Sequence, residues 1–414
     1  MNEAQESLLN SVVRHYLESG DFNGYGVFRP DDDIEFVKAL ISGRKLDLVR
    51  GDGHPNPHIK AFDAEDLETQ LAKINEKGLA GCLYPTPEHL EALDAGRDER
   101  APYTKELKLG APQLSHRSFD LRSLEWYRND PRFEFRVDDI HGRIIQKAGT
   151  EIAGRKTVQD GLDFFEFGFA YDEEKNRAAA AFVRYLHDLP TEIQVQMKLH
   201  ELEGKFLLHP DFYRTQIIGD FPERISVYDA FLEEKRHVNR MCEMIGKPRL
   251  FKTEFQNMNR PRGFGILLRP TLKEFRDFAL LLDQLLSDDI DNKFFERDID
   301  AHEKLTNAAG EEIKRPIGTI MLLENWIRLK FRPQDPEPMD KLFKDIRAVR
   351  QVRQKPAHKF EDDIFDQKFV AEQRALIIKA FDAVRTIRMI LENHPQVNGY
   401  EIPDYLREAK IWTM

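Results

Sequence analysis

Cysteine is scarce in this chain: Cys82 and Cys242 are the only two among 414 residues. A disulfide framework is excluded on that count, and reduced thiols are the expected state. Long apolar runs are missing as well. None approaches the roughly 20 residues a membrane-spanning helix needs, so no membrane partner is expected. The first residues, Met1-Asn2-Glu3-Ala4-Gln5-Glu6, have neither the basic start nor the apolar centre of a secretory signal, which makes the expected location cytoplasmic. Positive charge is also in short supply, with 62 Lys and Arg against 73 Asp and Glu and a formal net charge of −11. That balance excludes coating nucleic acid by bulk electrostatics and leaves only a local basic patch for such a role. The spacings Gly-x4-Gly-Lys-Ser/Thr, Gly-x-Ser-x-Gly and His-Glu-x-x-His do not occur, which removes support for P-loop nucleotide hydrolysis, serine hydrolysis and helical zinc proteolysis.

The rest of the composition is that of an ordinary globular protein, at 41% hydrophobic and 10% aromatic residues, so collagen-like and wholly disordered readings drop out. The length fits two to three domains. Patterning suggests a mixed α/β N-terminal domain over residues 1–160, a middle region with a strand and long helices over 161–265, and a helical bundle over 271–414. The fold class expected is α+β, mostly helical.

In the first part, residues 7–19 and 31–41 read as helices, the latter with Ile34, Val37, Leu40 and Ile41 at helical spacing. Gly51-Asp52-Gly53-His54-Pro55-Asn56-Pro57-His58 is a loop, since two prolines restrict their predecessors. Gly81–Pro85 reads as a buried strand, followed by a helix with Pro87 at its first position. The alternation Phe133-Glu134-Phe135-Arg136-Val137 marks a strand, and Phe164–Tyr171 another. Residues 173–187 read as a helix, residues 190–204 as a second ended by Gly204, and 222–245 as a long third. Arg262-Gly263-Phe264-Gly265 copies the start of an RNA-binding signature, but Ile266 and Arg269 stand where stacking aromatics belong, so it reads as a hinge between domains.

Four helices follow, at 271–287, 318–331, 339–355 and 367–393, the first opened by the capping-box pattern Thr271-Leu272-Lys273-Glu274. Short to medium connections favour an antiparallel bundle. In the third helix Leu342, Ile346, Val349 and Arg353 share one stripe at about 100° per residue. A guanidinium placed there needs an anionic partner, and the expected one is a bundle carboxylate such as Glu324, an interface or a ligand phosphate. His358 follows five residues later, with Pro356 ending or kinking the helix between them. Within 341–359 the cations Lys341, Lys344, Arg347, Arg350, Lys355 and Lys359 are opposed only by Asp345, which predicts a basic patch.

Arg353-Gln354-Lys355-Pro356-Ala357-His358 at the end of a third bundle helix, with Leu281-Leu282-Asp283 and Leu286-Ser287-Asp288-Asp289 before it and Phe381-Asp382-Ala383-Val384-Arg385 after it, resembles the HEPN family, whose mark is Arg-x(4 to 6)-His. The resemblance covers residues 271–414. It implies a metal-independent endoribonuclease of the kind found in bacterial defence and toxin systems, with no cofactor, with Arg353 and His358 as catalytic pair and with a homodimer formed through the bundle. RNA would then be held by Arg347, Arg350, Lys355 and Lys359. The alternative is a non-catalytic dimeric interaction protein using the same bundle as scaffold. For the N-terminal region, the stiff polar loop bearing Asp52, His54, Asn56 and His58 is expected to recognise a ligand or protein partner. His54 and His58 lack the helix and the nearby cysteines of a zinc site.

Overall fold

The computed structural model describes residues 2–27, 34–150, 157–221, 223–255, 260–306, 312–354 and 361–412. The chain forms two compact units: one of residues 1–136 and 140–222, the other of 137–139 and 223–414. The division falls near residue 222, inside the stretch expected as a middle region. Helix outweighs strand, at 49% against 15% of residues, so the chain is mixed α and β with helix dominant.

In the first unit α1 (Glu3–Glu18), β1 (Tyr25–Val27), α2 (Ile34–Ser42), β2 (Leu46–Val49), α3 (Leu67–Lys77) and β3 (Gly81–Pro85) make an antiparallel sheet in the order β1-β3-β2. Val12, Val37, Leu40, Ile41, Leu48, Ile74 and Leu83 close its core, which accounts for the apolar spacing of α2. α4 (Pro87–Ala92) starts at the expected proline, with Thr86 capping the His89 N–H. α5 (Pro102–Lys108), β4 (His116–Phe119), α6 (Glu125–Asn129), β5 (Phe133–Val137), β6 (His141–Gln146), β7 (Phe164–Tyr171) and β8 (Arg177–Phe182) follow. The second sheet runs β4-β8-β7-β6-β5, with β9 (Leu207–Leu208) also on β7.

One expectation is overturned here. Residues 173–187 are not one helix: β8 pairs with β4 and β7, and only α7 (Val183–His187) is helical. Ala178, Ala179, Ala180 and Ala181 favour a helix by propensity, yet all four are buried in the sheet. Phe212 from α9 (Pro210–Tyr213) stacks on Phe182 with centroids 5.7 Å apart, and a Cβ at Gly168 on β7 would collide with that ring. Small residues on β7 and β8 are what let the ring lie against the sheet. α8 (Thr191–Lys198) stops short of the expected Gly204.

The second unit holds α10 (Val227–Met244), α11 (Leu272–Asp283), α12 (Thr319–Lys330), α13 (Glu337–Gln354), α14 (Lys368–Glu392) and α15 (Asp404–Arg407). α14 packs against α10, α11 and α13, whereas α12 lies at the side against α13. The helix on α14 that the sequence reading placed outside the bundle is therefore α10. Its buried Glu234 pairs with Arg388 of α14. Thr271 caps Glu274 N–H at 3.2 Å, but Glu274 turns to the Leu268 and Arg269 N–H groups instead of completing a capping box. The segment expected as a hinge lies inside this unit, where Phe264 is buried beside Tyr228, Phe231 and Phe278. β10 (Ile225–Ser226) precedes α10, and residues between α11 and α12 include an antiparallel ribbon, β11 (His302–Thr306) with β12 (Glu312–Pro316), which the four-helix expectation does not contain. On α12 Met321 is 52% exposed, while Trp326 is buried.

Candidate functional site

α11 ends in an unusual turn. After Asp283 the helix widens into one π-type turn, Gln284–Asp288, a feature frequent at functional sites. The widened turn is fixed on three sides. Ser287 C=O accepts from Thr319 Oγ1 of α12 at 3.0 Å, Leu285 C=O accepts from Lys235 Nζ of α10 at 2.6 Å, and Asp288 C=O accepts from Lys252 Nζ at 2.8 Å. Asp289 is held by Lys235 at 2.9 Å and by Thr253 Oγ1 at 2.7 Å. Burial pushes the Lys235 ammonium down, with Asp289 opposing.

Against this turn lies the end of α13. Leu342, Ile346 and Val349 are fully buried, and Arg353 continues their stripe as anticipated. It does not enter the core, because its side chain stays 33% exposed at the rim. Its partner is not Glu324. Arg353 Nη1 donates to Asp283 Oδ2 at 2.7 Å and to Asp288 Oδ2 at 2.5 Å. Arg350, one turn earlier, donates from Nη2 to Asp288 Oδ1 at 2.6 Å and has Nε 3.6 Å from Asp283 Oδ2. Asp283 is completely buried, while Asp288 is 38% exposed. Both carboxylates hold the Arg353 guanidinium firmly protonated, Asp283 most of all. Ser287 Oγ and Asp283 Oδ1 are buried without a hydrogen-bond partner among the described residues.

Among the described residues, most cations of the expected basic patch are paired with carboxylates. Arg347 pairs with Glu324, which also holds Arg328 at 3.0 Å, and Lys341 pairs with Asp345 at 2.7 Å and Asp382 at 3.4 Å. Counting charges along residues 341–359 missed carboxylates delivered from α11, α12 and α14. Lys355, His358 and Lys359 lie outside the described residues. Arg350 and Arg353 are thus brought together, and Arg347 is held apart with α12. The residues that sequence reading did not assign are Asp283, Ser287 and Asp288. Their signal was an aspartate in the buried stripe of Phe278, Ala279 and Leu282.

In the first unit the polar loop is braced from within. Asp52 accepts from Lys73 at 2.9 Å, which holds its carboxyl below the usual range. His54 Nδ1 accepts from Asn56 N–H at 3.3 Å, and Asn56 Oδ1 from His58 N–H at 3.1 Å. His58 Nδ1 lies 3.0 Å from Gly24 C=O and 3.4 Å from Cys82 Sγ. A carbonyl only accepts, so in the tautomer that bonds Gly24 this nitrogen is the donor and is not available as base to the thiol. Burial pushes the Cys82 thiol up to about 12, which removes a Cys–His nucleophile from consideration. Among the described residues no three His, Cys, Asp or Glu side chains group as metal ligands, and no helix is long and apolar enough to cross a membrane. No family model, no curated protein and no solved structure matches the chain.

Proposed function

We propose that the second unit is a metal-independent endoribonuclease of the HEPN type, working as a homodimer through its helices. The observation that supports this reading is the side-by-side placement of Arg350 and Arg353, oriented by a buried aspartate at a widened helix turn, a few residues before His358. Guanidinium groups fixed in this way suit the geometry of a phosphodiester. In the reaction a histidine takes the proton from a ribose 2′-hydroxyl, the 2′-oxygen attacks phosphorus, and the bond to the 5′-oxygen breaks. The leaving oxygen gains a proton, and the products end in a 2′,3′-cyclic phosphate and a 5′-hydroxyl. Arg353 holds the phosphate and its developing charge, with Arg350, Lys355 and Lys359 adding electrostatic attraction and Arg347 contributing once released from Glu324. A role in phage defence or as a toxin is part of the proposal and rests on the family resemblance alone.

A second reading has one observation in its favour. Asp283 and Asp288 already satisfy both arginines, as they would in a non-catalytic interaction protein whose N-terminal loop, with Asp52, His54, Asn56 and His58, recognises a partner. Cleavage and binding of a structured and an unstructured RNA by wild type, Arg353→Ala and His358→Ala separate the two. The nuclease reading expects His358→Ala to lose cleavage but keep binding, and Arg353→Ala to weaken both. Equal cleavage by all three proteins, or none by wild type, moves the interaction reading to the front.

A further inference from the structure

Asp288 does something that Asp283 does not. Its two carboxylate oxygens are shared between the two arginines, Oδ1 on Arg350 at 2.6 Å and Oδ2 on Arg353 at 2.5 Å. Two non-bridging oxygens of a phosphodiester, lying between the same two guanidinium groups, would make the same pair of contacts. The two aspartates also differ in how readily they could let go. Asp283 is wholly buried, so leaving its arginines would strand a charge in the interior. Asp288 is 38% exposed and sits at the end of the widened turn, where a released carboxylate is rehydrated. Releasing Asp288 therefore costs far less than releasing Asp283 would.

One neighbouring polar group suits an anion: the buried Ser287 hydroxyl, which can donate, has no hydrogen-bond partner among the described residues, whereas buried polar atoms in folded proteins are nearly always satisfied. The backbone beneath is anchored by Thr319, Lys235 and Lys252, so the Asp288 side chain can swing out while the turn stays in place.

We propose that Asp288 is a built-in phosphate mimic: it occupies an anion site between Arg350 and Arg353, and a phosphate group of an incoming ligand displaces it while Asp283 keeps both guanidinium groups in position. This rests on the reading of Arg350 and Arg353 as phosphate-binding, though not on cleavage. The contact restrains the site against weak or lone anions, and a polyanion that gains further contacts overcomes it. Asp283 is then a positioning residue, and Asp288 a competitor for the ligand's place.

The test uses the full chain and two probes at fixed salt: a fluorescent 2′-O-methyl RNA that cannot be cut, followed by anisotropy, and inorganic pyrophosphate, followed by calorimetry. Asp288→Asn should bind at least one probe about 5-fold more tightly than wild type, the factor an exposed ion pair is worth. Asp288→Ser, which leaves no bridging carboxylate and no buried cavity, should do the same and stands in if the asparagine variant folds poorly. Asp382→Asn removes an equally exposed charge paired with Lys341 and should change affinity less than 2-fold, which separates displacement from general electrostatics. In an Arg353→Ala background the gain from Asp288→Asn should shrink, because only the contact with Arg350 is then left to compete for. A gain with RNA alone identifies a polynucleotide site, and a gain with pyrophosphate alone keeps the mimic while removing RNA as its ligand. Unchanged or weaker binding of both probes by both Asp288 variants, or a gain that is undiminished without Arg353, overturns the proposal.

Discussion

Arg388 on α14 is almost completely buried, and its guanidinium holds Glu234 of α10, also inaccessible, and Glu392 one turn on. Changing Arg388 to Met keeps the unbranched stem and most of the volume of the side chain but leaves Glu234 with a charge inside the protein. Breaking a buried pair from one side costs about 3–5 kcal/mol, because the remaining ion has lost its counter-charge and cannot reach water. For a unit of this size that corresponds to a fall in Tm of roughly 10 °C. The deficit should depend on pH. Burial pushes the Glu234 carboxyl above its ordinary value even with Arg388 beside it, so the folded state binds that proton more tightly than the unfolded chain. The stability linked to the proton is present below the ordinary carboxyl range and is lost as pH rises toward the folded value. Without Arg388 the folded value rises further, so the variant should recover part of its deficit between pH 7 and pH 5. Replacing both partners, Glu234→Leu with Arg388→Met, should recover most of it at pH 7, since a well-packed apolar pair is often neutral against a buried ion pair. Urea and thermal unfolding at the two pH values read all three effects. A single variant within about 1 kcal/mol of wild type, or a double variant no better than the single one, would refute the reasoning.

Asp289→Asn should destabilise the second unit by about 2–4 kcal/mol, since Lys235 is left buried without its counter-charge, and chemical denaturation measures this directly. Cys82 and Cys242, whose thiols burial pushes up to about 12, should resist iodoacetamide at pH 8 in the folded protein and react on unfolding, as followed by mass spectrometry. His58→Ala should cost about 1 kcal/mol through loss of the bond to Gly24 and leave RNA cleavage unchanged. A loss of turnover with intact folding would show that the loop does more than recognition.

Several elements were legible because their causes are local. Thr86 and Pro87 open α4, Thr271 caps α11, and the apolar spacing of α2 meets a core that the same spacing predicts. What escaped depended on distant parts of the chain. The alanines of β8 carry a helical preference that sheet burial overrides, and the charged ribbon β11–β12 has little of the β-branched character that marks a strand. Membership of α10 in the bundle rests on Glu234 and Arg388, which are 154 residues apart in sequence. At the site, the end of α13 was visible from its stripe and its cations. Their neutralisation was not, because Asp283, Asp288 and Glu324 reach them from other helices and no spacing within α13 encodes that encounter.

In the proposed reaction Arg353 and His358 serve a cleavage in which the RNA's own 2′-hydroxyl is the nucleophile. Wild-type protein in excess EDTA, given an RNA and the same RNA with a 2′-deoxy residue at the mapped cleavage position, tests it most directly when the new 3′ ends are analysed. The first should be cleaved to a 2′,3′-cyclic phosphate and the second left intact at the deoxy position, with His358→Ala inert on both. Cutting at the deoxy position, or 3′ ends that never carry a cyclic phosphate, would contradict it.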